Sequence, residues 1–166
     1  MFPMNAIYKN QNIIIPSNNK DDLCIESSLA FEDIISLAKQ LCNVPIVALT
    51  LYEDERHLIK AKSGIDIQED KLLEPFCSLT VQEKKFLQIE DASKDSRFRK
   101  LPIVANSPKI RFYAGVPLIG SEGFVLGTLN VFDTKPQLLK PVEQEALERL
   151  GKLVVTQMEL QYSVKQ

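Results

Sequence analysis

The stretch from Ile110 to Asp133 restricts the fold most, because it reads as two strands around a short turn, Gly120-Ser121-Glu122-Gly123. Phe112, Tyr113, Val116, Leu118 and Ile119 precede the turn, and Phe124, Val125, Leu129, Val131 and Phe132 follow it. The two turn glycines supply the permissive backbone a tight hairpin needs. In the second arm, alternation puts Phe124, Leu126 and Phe132 on one face and Val125, Leu129 and Val131 on the other. Both faces are apolar, so the sheet needs cover on both sides. Gly115 and Gly127 fall inside the arms, where a missing side chain implies close approach of another backbone, side chain or ligand.

The cover has to come from the rest of the chain. Ser27 or Ser28 offers an N-cap, and Ala30, Phe31, Ile34, Ile35, Leu37, Ala38, Leu41 and Cys42 follow at spacings of three and four, which predicts an amphipathic helix ending before Pro45. Ile46 to Tyr52 reads as a strand, Glu53 to Arg56 as a polar turn, and Leu58, Ile59 and Ala61 as the returning strand. Residues 64 to 84 carry Gly64, Pro75 and broken periodicity, which predicts short helical pieces. Phe86 to Glu90 reads as another strand, and Asp91 to Lys109 as a loop with a turn or two of helix. Pro141 suits the first turn of a last helix, with Val142, Leu147, Leu150, Leu153, Val154 and Met158 as its apolar stripe. The order predicts an α+β plan: the terminal helices cover one sheet face and the irregular middle covers the other.

At 166 residues and 45% hydrophobic, the chain has the length to bury the core of one domain. A formal charge of -2 gives no overall drive toward nucleic acid, which is bound through massed Lys and Arg. Three cysteines without a C-x-x-C spacing fit a reducing, cytoplasmic setting. The first residues hold neither a basic leader nor a long apolar run, so neither a signal peptide nor a membrane span is expected. The expected layout is an arm or linker over residues 1–25, one domain over 26–162 and a tail over 163–166.

Several blocks, in order, resemble the GAF domain, a small sensory module of signalling proteins, over roughly Phe31 to Val155. They are Val44-Pro45-Ile46-Val47-Ala48-Leu49, Phe76-Cys77, Asp91-Ala92 with Asp95-Ser96-Arg97-Phe98, Arg111 to Leu118, and Gly127 to Asp133. The resemblance is to the subset that precedes histidine kinases and cyclic-dinucleotide enzymes. It implies an antiparallel sheet of five or six strands, N- and C-terminal helices on one face, and a pocket formed by short helices and loops on the other. It also implies a non-enzymatic sensor that binds a small ligand and passes the event to its terminal helices or to a downstream signalling protein. The expected pocket residues are Phe76, Cys77, Arg97, Phe98, Tyr113 and Leu129.

The chemistry-bearing residues are few. Tetrapyrrole attachment at Cys77 is not expected, because the only histidine, His57, lies far earlier in the chain; a buried, inert thiol is favoured over a thiol-dependent reductase. His57 alone makes no metal motif and reads as an exposed or satisfied hairpin residue, and no nucleotide motif is present, so the cofactor stays unassigned. Asp91 or Ser93 can cap a short helix, Asp95 and Arg97 can pair, and Phe98 can plug the core; an Arg97 and Phe98 grip on a carboxylate or planar ligand is the alternative. Lys94, Arg97, Arg99, Lys100, Lys109 and Arg111 stand against Asp95 alone between residues 94 and 111, a basic rim suited to an anionic ligand. A ligand-free dimerisation or protein-interaction module is the second expectation, with Leu147, Leu150, Val154 and Met158 meeting the first helix across a homodimer interface.

Overall fold

The computed structural model describes residues 22–54, 56–65 and 70–164. Helix α1 runs Asp22–Cys42, β1 Ile46–Glu53 and β2 Arg56–Ser63. A 3-10 turn at Asp70–Leu72 leads into α2, Glu74–Glu83, and then β3, Leu87–Ile89. A second 3-10 turn at Ala92–Lys94 and the short α3, Pro102–Ala105, precede β4, Phe112–Ile119, β5, Val125–Asp133, and α4, Pro141–Val164. Nearly all of the expected arm, and the last two residues of the tail, lie outside the described residues. Helix α1 starts ahead of Ser27 and Ser28, which are therefore helical and do not cap it. The run Asp22 to Glu26 contains no Gly or Pro to stop the helix earlier.

The five strands form one antiparallel sheet in the order β2-β1-β5-β4-β3. The predicted central hairpin becomes β4 and β5, and β1 pairs with β5 so that Ile46 opposes Phe132. One expectation for β5 changes. Leu118 pairs with Gly127 and Ile119 with Val125, leaving Leu126 as an extra residue in the ladder. A bulge of this kind flips the parity of what lies beyond it. Leu126 accordingly joins Leu129 and Val131 in one cluster and is separated from Phe132.

Both faces are covered, as the two-sided apolar pattern requires. On one side Val47, Leu49, Phe112, Ala114, Val116, Leu129 and Val131 pack against Phe31, Ile34, Ile35 and Ala38 of α1 and Leu147, Leu150 and Val154 of α4. On the other, Ile46, Ala48, Tyr113 and Phe132 meet Phe76, Cys77, Phe98, Ile103, Val104 and Ile110 from the irregular middle. Leu37, Leu41, Val142 and Leu153, expected on the buried stripes, are instead exposed. Leu147, Leu150 and Val154 are used up by the sheet, so they cannot also form the dimer interface expected of them. Pro141 opens α4 as predicted, and Glu143 reaches back to accept the Lys140 N–H at 2.8 Å, which satisfies one orphan donor of the first turn.

Candidate functional site

The face away from the terminal helices is where the sequence placed a pocket. Pro75 sits in the first turn of α2, and Lys84 ends the helix in the left-handed region at φ 54° with its N–H on the Thr80 carbonyl. That segment delivers Phe76, Cys77, Thr80 and Val81 inward. Phe76 stacks on Phe98 with ring centroids 4.6 Å apart, tilts against Tyr113 at 4.9 Å and meets Phe132 edge-on at 5.7 Å. Such aromatic pairs add to the area they bury, so the four rings form a firm plug.

Beneath the rings runs a chain of buried polar groups. The Tyr113 hydroxyl donates to Asn130 Oδ1 at 2.8 Å and lies 2.6 Å from Thr80 Oγ1. Asn130 Nδ2 donates to the Ala48 carbonyl at 3.1 Å and to Thr128 Oγ1 at 2.9 Å. Thr128 and Thr50 share a bond of 2.6 Å, and Thr50 Oγ1 donates to Cys77 Sγ at 3.8 Å. With Thr50 donating to sulfur, Thr128 must donate to Thr50, and the bonds run one way from Asn130 to Cys77. Thr50, Thr80, Thr128 and Asn130 are all fully buried. Burial is the main reason the Tyr113 hydroxyl titrates well above its ordinary value. Burial also lifts the Cys77 thiol to about 11, with the Thr128 and Thr50 hydroxyls pulling the other way.

The two strand glycines are explained by this interior. A Cβ on Gly115 would run into the Tyr113 hydroxyl and Thr80 Oγ1, and one on Gly127 into the Thr50 carbonyl. Tyr113 thus folds back over its own strand at Gly115, which lets its hydroxyl reach both Asn130 and Thr80.

Of the six residues expected to line a pocket, Phe76, Cys77, Phe98 and Tyr113 come together here, and each is buried. Leu129 does not join them, because β5 points it into the opposite cluster against α1 and α4. Arg97 lies outside: its guanidinium holds the two Asp95 carboxylate oxygens at 3.0 and 2.8 Å and sits 5.3 Å over the Phe98 ring. The pairing expected of Asp95 and Arg97, the Asp91 cap on Ser93 and the Phe98 plug are all present. Of the other loop cations, Arg111 is half-buried and donates to the Val104 and Ile110 carbonyls, while Lys94, Arg99, Lys100 and Lys109 are exposed. Lys94 and Arg97 border an open cleft of about 410 Å³ with Gln88, Glu90, Asp95 and Pro136.

Sequence reasoning missed Thr50, Thr128 and Asn130, although polar residues sharing a parity within apolar strands were a usable signal. It also misjudged His57, which is neither exposed nor fully satisfied. The residue is 4% exposed, its Nε2 lies 3.3 Å from Ser78 Oγ, and its Nδ1 has no partner. Cys42 and Cys77 do not cluster: Cys42 belongs to the helix-side core and Cys77 to the other. Among the described residues no group of His, Cys, Asp and Glu is arranged to hold a metal, and no helix is long and apolar enough to cross a membrane.

A central antiparallel sheet, with terminal helices beneath and a looped cap above, defines a class of small α+β domain. The chain belongs to the GAF domain family, whose sequence profile matches residues 28–158. A cyclic di-GMP phosphodiesterase of Pseudomonas aeruginosa is 34% identical over 129 residues, or 77% of this chain; the match spans only 22% of that enzyme's length. Among solved structures, the type II free methionine-R-sulfoxide reductase of Thermoplasma acidophilum superposes with a TM-score of 0.70 at 15% identity, covering 84% of this chain and 96% of the other. The GAF domain of an Acinetobacter phosphoenolpyruvate-protein phosphotransferase gives 0.66 at 19% identity, covering 87% and 97%. Identities this low establish the shared fold alone.

Proposed function

We propose that this GAF domain is a regulatory module without chemistry of its own, pairing with a second copy through its helix layer and passing its state along α1 and α4 to a signalling partner. The carrying observation is that, among the described residues, the rings of Phe76, Phe98, Tyr113 and Phe132 occupy the cap-side interior over a continuous hydrogen-bond chain. A filled interior favours a scaffold read from its surface, and the surface offers Leu37 and Leu41 on α1 and Val142, Leu153 and Leu160 on α4. The last two are seven residues apart, the spacing that lines one side of a helix. The small share of the Pseudomonas phosphodiesterase that matches supports a regulatory role within a longer enzyme of that kind. Against a reductase role stands the Cys77 thiol, which burial keeps protonated near neutral pH and far from reactive thiolate chemistry.

Sedimentation velocity tests this reading. The unaltered chain should sediment as a dimer, and Leu153→Glu with Leu160→Glu should give a folded monomer. A monomer for the unaltered chain at all concentrations removes the pairing.

A second reading, binding of a small polar ligand, is favoured by the open cleft where Lys94 and Arg97 stand among Glu90, Asp91 and Asp95 beside Gln88 and Pro136. It moves the expected site from the packed interior to the β3 edge. Native mass spectrometry of protein made in its own host should then show a bound mass that Lys94→Glu abolishes.

A further inference from the structure

Among the described residues, His57 stands out as a buried titratable group whose hydrogen bonding is incomplete. It lies on β2, under the N-terminal half of α2, with Tyr52 of β1 4.9 Å from its ring and Ser78 of α2 on its Nε2. Among the described residues, its Nδ1 is the sole buried side-chain nitrogen or oxygen lacking a hydrogen-bond partner. A neutral imidazole tolerates one idle nitrogen, since an acceptor left bare costs less than a charge left unpaired. A charged imidazolium carries a donor on each nitrogen, and here one of those donors would have nothing to bond in a dry setting.

We propose that the His57–Ser78 contact is a proton-operated latch between β2 and α2: it rests in the present packing while the ring is neutral, and a proton on Nδ1, which leaves the Nε2 contact in place, forces α2 to move until that new donor is met. The charged groups around it are few. Glu74, one turn before Ser78 on α2, is the acid whose field favours the charged ring. Lys71, on the 3-10 turn that also packs on β2, is exposed, as is Arg56 beside His57. Burial outweighs Glu74 and lowers the basicity of the ring, so the latch holds at neutrality and yields to acid. Protonation pulls the first turn of α2 toward an arrangement in which Glu74 or water reaches Nδ1. The same helix carries Cys77 and Thr80, which are bonded to Thr50 and Tyr113, so a shift of α2 is felt throughout the interior chain. This inference does not depend on the oligomeric reading above.

The chain has a single histidine, so its ring proton resonances are identified without assignment by mutation. An NMR titration of the 15N-labelled chain from pH 8 to 5 should place the His57 midpoint below the unperturbed value of about 6.5. Amides of residues 74–80 should shift with the same midpoint. Glu74→Gln should lower that midpoint further, and His57→Gln, which keeps a group near Ser78 but cannot be charged there, should leave the α2 amides flat across the range. A midpoint at or above about 6.5, α2 amides that ignore it, or α2 shifts that persist in His57→Gln would each overturn the latch.

Discussion

At the scale of single residues, the interior is organised by Tyr113, whose side chain turns back over Gly115 to bring one hydroxyl between Asn130 and Thr80. Only a residue without Cβ leaves that path open, so Gly115→Ala must displace the ring, the hydroxyl or the strand. We expect a loss of about 2 kcal/mol or more, in the range of overpacked core sites, read as a lower urea midpoint with an unchanged slope. Cys77 and Cys42 make a second test. Burial lifts each thiol to about 11, with Glu143 adding to the effect at Cys42. Iodoacetamide at pH 8, followed by peptide mapping, should leave both unmodified in the native chain and label both in urea. Rapid native labelling of Cys77 would mean that the plug opens.

At the scale of elements, α4 separates two kinds of leucine that hydropathy alone does not distinguish. Leu147 is fully buried against the sheet, whereas Leu153 is 55% exposed. Leu147→Ala should cost about 2–5 kcal/mol, and Leu153→Ala, measured in dilute solution, should stay within about 0.5 kcal/mol of the unaltered chain. Equal losses would mean that the helix is rotated from the position described. Here the sequence was legible up to a point. The hairpin, both terminal helices and the two-sided sheet followed from periodicity, and Gly115 and Gly127 announced close contacts. What periodicity could not reveal was rotation: it grouped Leu37, Leu41 and Leu153 with the core, because a stripe inferred from apolar identity has no edge. The bulge at Leu126 was equally hidden, since one unpaired residue leaves no trace in composition. In the candidate site, Phe76, Cys77, Phe98 and Tyr113 were found as neighbours through family blocks. That they fill the space themselves, and that Leu129 turns away, depends on long-range pairing of β1, β4 and β5.

For the molecule as a whole, stability should fall with acid in two stages. His57 has its basicity lowered in the fold, so the unfolded chain binds the proton more readily; its contribution is complete above about pH 6.5 and declines below it. Asp91 and Asp95 work lower on the scale. The Ser93 hydrogen bonds hold the first carboxyl below its usual range, and the Arg97 bonds hold the second. Their contribution is present above about pH 4 and is lost as the acid titrates them. Urea midpoints measured from pH 8 to 3 should therefore decline first below about pH 6.5, and His57→Gln should remove that first decline while sparing the second.

The turn of the central hairpin is tied to α4 where the Ser121 N–H donates to Glu159 Oε1 at 2.7 Å. Glu159 lies near the far end of a helix that spans Pro141–Val164. The hairpin tip is therefore a second anchor for the C-terminal half of α4, beyond the packing of Leu150 and Val154 against the sheet.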